Sequence, residues 1–413
     1  MEKRKRWAWG AASAGVVTAL FLLIYAQYGL YPFGGDSIGW GDMKQQIAPL
    51  LLQLRGILLG QQDFFLHMQS GGMDFWGVFF FFLSSPFSFL VVLVPAQGVY
   101  DFLNILVLLK CAAAAFSLCV CLPRLLPRLT GPVCLAFSVG YAFSGYSMLY
   151  FVNVHWLDMM ILFPFLALAF LRAVHRRKNG ALIAALSLQL VMGFYLGYMV
   201  LLFLAIAAGA YVWICVPKPQ RPAASLRVCA AVAVSLFLTA GVWVPFMLQY
   251  LQSARTTDFI LSLQSGSFLT HWATSTCTLF CTATFCAGGV WCAVCRGKWE
   301  GARSRRLLFL LALSLLMSVP LWIEPVNKFW HIGSYQAYPS RYGFILVFLW
   351  ALLAAAVWEK MEPRRLNSRE KGPPVLLIAF SLFTLGILVL AAMVLMTRMD
   401  VLDDYCHTLW VTE

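Results

Sequence analysis

Carboxylates beside a bilayer are expensive, and this chain sets two of them, Asp36 and Asp42, in the loop YPFGGDSIGWGDMKQQ that follows its first apolar run. A carboxylate on such a loop can act as general base on an acceptor hydroxyl, the step that glycosyl transfer to an alcohol needs. It can equally hold a divalent metal against a phosphate leaving group. Lys44 and the pair Gln45 and Gln46 follow directly. The competing reading is a loop whose acids only keep it in water.

Three further clusters carry usable side chains. NVHWLDMM places Asn153, His155, Trp156 and Asp158 at one end of an apolar run. An acid at the head of such a helix either caps its N-terminus or faces an aqueous cavity. His155 suits a metal or phosphate, although histidines at membrane boundaries are common. GFYLGYM carries Tyr195 and Tyr198 between two short apolar runs, which suits a cavity wall for a sugar or lipid headgroup, or a plain aromatic belt. HIGSYQAYPSRYGF adds His331, Tyr335, Tyr338 and Arg341. A guanidinium there is shaped to clamp a phosphate through paired hydrogen bonds; snorkelling to lipid phosphates is the alternative.

The elements that position these residues are helices in a membrane. Of 413 residues, 61% are hydrophobic and only 11% charged, against about a quarter charged in soluble domains. Apolar runs of about 20 residues recur, the length of a membrane-crossing helix. Unbroken runs rather than alternation exclude a barrel. The predicted class is therefore all-α, a polytopic membrane protein forming one domain over 1–413. The net charge of +13 lies in short clusters between apolar runs, as topology signals do, so no nucleic-acid partner is expected.

Lys3, Arg4, Lys5 and Arg6 precede the first span, which predicts a cytoplasmic N-terminus and a retained anchor. Residues 31–75 then form an external loop, and Met43 to Leu59 has apolar residues at helical spacing, as in a helix lying on the membrane surface. The stretch 76–94 is interrupted by Ser84, Ser85 and Pro86. Read as a re-entrant or interfacial hairpin, it leaves about 11 spans, places most Lys and Arg on the cytoplasmic side and the tail 398–413 outside. The later spans fall near 103–122, 132–150, 157–173, 181–196, 198–216, 228–249, 272–295, 307–323, 340–358 and 375–397. The four clusters then share the external face.

Twelve cysteines show no paired metal spacing, since the lone Cys292–Cys295 CxxC has no second pair. They read as small buried packing residues. No P-loop, GxSxG or HExxH pattern occurs.

In their order, these stretches resemble the bacterial YfhO-type membrane proteins, a family grouped with the GT-C glycosyltransferases. The likeness rests on PFG, Asp42 and Gln45–Gln46 in the first loop, then GGMDFWGVFFFFLSSPF, N-x-x-W-L-D at 153–158, FYLGYM at 194–199 and Y-P-x-R-Y at 338–342. The resemblance implies a GT-C-like fold and an inverting enzyme of the bacterial cytoplasmic membrane. It would move a monosaccharide from an undecaprenyl-phosphate carrier to a cell-envelope glycopolymer such as lipoteichoic acid on the outer face. Asp42 matches the family's loop acid, with Asp36 the reserve; Asp158 matches the second acid and Arg341 a ligand for the carrier phosphate. Gln45, Gln46, Asn153, His155, Trp156, Tyr195, Tyr198 and Tyr338 complete the expected binding set, and Phe79 to Phe82 would seat the prenyl tail. A divalent metal is compatible with the acids but not required. Family members are often much longer, so a compact or truncated member is expected. The rival reading is a non-enzymatic exporter or flippase of a lipid-linked sugar or polymer, which predicts ionisable groups buried in mid-span; only Lys110 fits that pattern.

Overall fold

The computed structural model describes residues 2–66, 72–252, 263–264, 266, 268–269, 302–333 and 338–367. Within them the regular elements are helices apart from a two-residue antiparallel hairpin, β1 (Phe65–Leu66) with β2 (Met73–Asp74). The helices are α1 (Lys3–Gln27), α2 (Ala48–Leu58), α3 (Phe75–Val78), α4 (Val99–Leu125), α5 (Gly131–Ala142), α6 (Gly145–Tyr150), α7 (Leu157–Arg176), α8 (Gly180–Met192), α9 (Phe194–Cys215), α10 (Arg221–Leu238) and α11 (Ala240–Gln252). They are followed by α12 (Ala302–Ser318), α13 (Glu324–Trp330) and α14 (Gly343–Asn367). Six segments are long and apolar enough to cross a membrane, and three shorter apolar helices accompany them. These coincide with nine of the expected spans. The spans expected at 272–295 and 375–397, the tail, Tyr335 and the Cys292–Cys295 pair lie outside the described residues. The chain is thus an all-α, polytopic membrane protein.

α4 is the axis of the bundle. Phe102, Leu103, Leu106, Val107, Cys111, Ala114, Ala115 and Leu118 are all buried, because α1, α5 and α7 pack around it. A helix apolar on every side is stable only when surrounded. Helices break where their side chains offer the backbone something else. Ser144 ends the run from α5 and caps α6 through Ser147 N–H, an ordinary N-cap.

Residues 76–94 do not form one continuous helix. A π-helical turn at Phe79–Leu83 stops at Ser84, and a 3₁₀ turn, Ser88–Leu93, resumes beyond Pro86. Each piece is about 7–12 Å long, well short of a bilayer's hydrocarbon core. Ser84 Oγ donates to Val191 O at 2.7 Å and Ser85 Oγ to Asp158 at 2.8 Å. Protein groups thereby supply partners at a break that lipid could not satisfy.

The boundary expected between the spans 181–196 and 198–216 lies earlier in the structure. Only Gly193 interrupts the helices, and Phe194 onward already belongs to α9. The break is short because α8 and α9 pack closely: a Cβ at Gly197 would lie 2.9 Å from the Leu190 side chain.

Candidate functional site

The loop after α1 is built by backbone turns and one buried asparagine. Gly34 approaches Gly29 so closely that a Cβ would lie 2.0 Å from the Gly29 carbonyl oxygen, so only glycine fits. Asn104, fully buried on α4, accepts from Ile38 N–H at 2.9 Å and donates to the carbonyls of Tyr31 and Asp36 at 3.3 Å. Asp36 belongs to this turn by its backbone, and its residue is exposed.

Asp42 is placed differently. Gly41 adopts φ +47°, the left-handed region that glycine enters at little cost, and the chain then turns into a π-helical turn at Met43–Ile47 that leads straight into α2. Met43, Ile47, Leu50, Leu51 and Leu54 bury one face of this helix. Asp42 stands at its N-terminus, yet its side chain makes no capping hydrogen bond. Its charge lies close enough to Tyr338 to act on that phenol. Burial first, and then the Asp42 charge, hold the Tyr338 phenol well above its ordinary pKa. It is therefore a donor at neutral pH. Gln45 is exposed and Gln46 half-buried in the same turn, and Lys44 is exposed.

Tyr338 links this loop to the second and fourth clusters. Its φ of +63° is unusual for an aromatic residue and costs on the order of 1 kcal/mol. The edges of Tyr150 and Trp156, 5.4 and 5.3 Å away between centroids, hold it there. Asn153 is nearly fully buried nearby, and its side-chain amide nitrogen has no hydrogen-bond partner among the described residues. Three residues on, the Arg341 guanidinium lies 5.4 Å from the Trp156 ring centroid and 5.5 Å from that of Tyr195, and donates to Tyr195 Oη at 3.3 Å. Tyr146 and Tyr150 anchor this strip of backbone through Arg341 O and Ser340 N–H. Asp42 is thus near Tyr338, whose ring touches that of Trp156, over which Arg341 lies. Asp36 instead stays in the exposed turn that its backbone bridges to Leu30. Tyr198 donates to Phe329 O at 3.2 Å, tying α9 to α13.

His155 and Trp156 sit on a 3₁₀ turn, Val154–Trp156, that opens α7. Both are nearly fully buried, and neither ring nitrogen of His155 nor the Trp156 indole N–H has a hydrogen-bond partner among the described residues. Buried polar atoms without partners are uncommon and ask for an explanation. The rings of Phe81 and Phe82, from the π-helical turn, lie 5.7 and 4.9 Å from His155, and Phe81 lies 5.9 Å from Tyr195. Aromatic walls, a guanidinium and these imidazole and indole nitrogens can bind a polar, anionic group with an apolar tail.

Asp158 lies behind this cluster. Its carboxylate pairs with Lys110 Nζ at 2.7 Å and accepts from Ser85 Oγ at 2.8 Å, and Lys110 also donates to Val154 O at 3.2 Å. All three side chains are buried. The mid-span lysine therefore has its counter-ion, and the triad ties α4, the broken segment and the head of α7 together. Among the described residues no group of three or more His, Cys, Asp or Glu is arranged to hold a metal ion.

His331, at the end of α13, hydrogen-bonds Asn327 O through Nδ1 at 2.8 Å. Burial, then the Arg341 charge, push its pKa from 6.5 down to about 3, against the pull of the Asn327 carbonyl. The unfolded chain takes up this proton at higher pH than the fold does. Stability is therefore complete above about 6.5 and falls as pH drops toward 3. The melting temperature should decline over that window, with a slope of up to about 1.4 kcal/mol per pH unit. His331→Gln should flatten the decline; an unchanged slope would assign the acid sensitivity to other groups.

A family model described as bacterial membrane protein YfhO matches residues 13–404. Neither a curated protein nor a solved structure matches the chain.

Proposed function

This chain belongs to the bacterial YfhO membrane-protein family, and on that premise we propose that it is a membrane glycosyltransferase of the inverting GT-C type. The donor is a monosaccharide on an undecaprenyl-phosphate carrier, and the acceptor a cell-envelope glycopolymer such as lipoteichoic acid. The N-terminus is cytoplasmic and the site opens on the external face, where nucleotide sugars are absent and a lipid-linked donor is the sensible one. The observation that supports this reading is the chain of neighbours from an uncapped loop acid, Asp42, through the rings of Tyr338 and Trp156 to a guanidinium, Arg341.

In this mechanism Asp42 takes the proton of the acceptor hydroxyl as it attacks the anomeric carbon. The bond from that carbon to the carrier phosphate breaks, and the polyprenyl phosphate leaves with its electron pair. Arg341 neutralises that charge as it develops, in a site walled by rings where such interactions are strong. His155 and Trp156 supply further contacts to the phosphate or sugar, and Phe79 to Phe82 flank the tail. Asp158 positions the turn that carries His155 and Trp156, and no step requires a metal.

Arg341 provides the direct test. Envelope glycopolymer from cells carrying Arg341→Gln should have lost its added sugar, with transfer down about 10²–10³-fold, the scale for removing one charge-stabilising donor. Arg341→Lys should recover only part, because a point charge cannot make the paired hydrogen bonds. Sugar content indifferent to both substitutions would sink the assignment of Arg341 to the leaving phosphate.

A further inference from the structure

At the opposite end of the bundle, α7, α9, α12 and α14 line a half-open cavity of about 510 Å³. That is within the range of small-molecule sites. Its walls are apolar, with Phe163, Leu166, Phe203, Leu313 and Phe348 among them, whereas its rim carries Arg128, Arg306 and Glu359. Glu359 accepts from the Arg128 backbone N–H at 2.8 Å, so one of its oxygens is engaged in fastening the loop after α4 to α14. The arginine residues at the rim are exposed. A soluble metabolite would need polar groups converging inside, and the wall supplies little beyond Tyr211. An apolar chamber with a cationic rim is instead the complement of an acyl chain joined to a phosphate.

The surroundings identify which leaflet would supply it. Arg124, Arg172, Arg176, Arg177 and Lys178 end the helices on this side, and such clusters mark the cytoplasmic face, whose leaflet holds anionic lipid. Basic pockets between helices on that side are recurrent sites for anionic headgroups. We propose that this cavity is a lipid site: one acyl chain of an anionic glycerophospholipid fills it, and the phosphate rests at Arg128 and Arg306.

The site also has a route to the other end of the molecule. α7 carries Trp156 just before its first residue and Phe163 on the cavity wall; α14 follows Arg341 closely and carries Phe348 on the same wall. Phe163 packs on Phe344 and Phe348 at 5.6 and 5.1 Å. A bound chain braces the two helices whose far ends present Trp156 and Arg341. The binding itself rests only on the cavity. The bracing of an active site rests on the glycosyltransferase reading above.

The test uses the full chain, purified in detergent and stripped of lipid, with phosphatidylglycerol and phosphatidylcholine of identical acyl chains as probes. Retention is read by native mass spectrometry. Wild type should hold phosphatidylglycerol in preference to phosphatidylcholine. The double variant Arg128→Gln/Arg306→Gln should hold it about tenfold less well, the loss of roughly one charge-assisted hydrogen bond. Ala207→Phe, which fills the chamber from α9, should lose retention as well. Phosphatidylglycerol carrying a photoreactive acyl chain should label Phe170, Phe203 or Leu313 in the unaltered protein, a readout that needs no variant to fold. Equal retention of both lipids would overturn the proposal, as would labelling confined to surface positions such as Trp213. So would cross-linking from Ala207 that captures another stretch of this chain instead of lipid. Asp42→Asn should bind phosphatidylglycerol as wild type does, so a failure of the transfer reading leaves this result distinguishable.

Discussion

Asp42→Asn should abolish sugar transfer while leaving the protein folded, and Asp36→Asn should leave transfer within a few-fold of wild type. Removing a general base costs about 10²–10⁴-fold. The substitution at Asp42 is unusually clean. The side chain does not cap the helix that follows it, so no helix stability is lost through that route. Asparagine keeps the shape of the side chain, and the Tyr338 ring stays held by Tyr150 and Trp156. Only the basicity goes. Asp36, in contrast, works through its backbone, whose carbonyl accepts from Asn104 and Tyr31 N–H. Those bonds survive any side-chain change. The measurement is the sugar content of envelope glycopolymer from cells carrying each variant at matched protein levels. Loss with Asp36→Asn alone would transfer the base assignment to that residue, and indifference to both would defeat the enzyme reading itself.

Which parts of this arrangement could be read from residues alone follows from the physics of each part. Span lengths and the interruption at Ser84–Pro86 are local properties, so apolar runs and breakers mark them directly. The likeness of the first loop to the family motif separates Asp42 from Asp36, and the structure adds a physical difference between them: one carboxylate lies near Tyr338, the other lies in an exposed turn. Long-range pairings were not legible. Asn104 is one polar residue in a buried helix, and nothing near it in the chain announces that it fixes a loop about 70 residues upstream. Lys110 reads as an isolated mid-span charge until Asp158, 48 residues later, is placed beside it. A signal did exist: an ionisable group within a span needs a partner, and the sequence offers few acids on neighbouring helices. The aromatic stretch at 193–199 misled for a related reason. Glycines and tyrosines at a predicted boundary suggest a turn, whereas here Gly197 lets two helices approach and the tyrosines project from the first turns of α9.

Lys110 and Asp158 yield the second large effect, and it separates structure from function. Either single substitution, Lys110→Met or Asp158→Asn, strands the other charge where no solvent reaches, both side chains being 0% exposed. Stranding one member of a buried pair typically costs about 3–5 kcal/mol, whereas replacing both is often neutral. Each single variant should therefore melt well below wild type in detergent, and the double variant Lys110→Met/Asp158→Asn should recover most of the loss, since Ser85 can still donate to the asparagine carbonyl. Transfer activity need not recover with it. Lys110 also holds Val154 O, the carbonyl that opens the turn presenting His155 and Trp156, and methionine cannot replace that bond. A folded double variant with wild-type transfer would make the triad a staple for α4, α7 and the broken segment and nothing more. A folded double variant with weakened donor binding, seen as a raised KM with kcat largely kept, would make it a positioning device for the turn. Additive losses of stability in the double variant would contradict the pairing on which both readings depend, because two residues that stabilise each other as ions must show coupling in such a cycle.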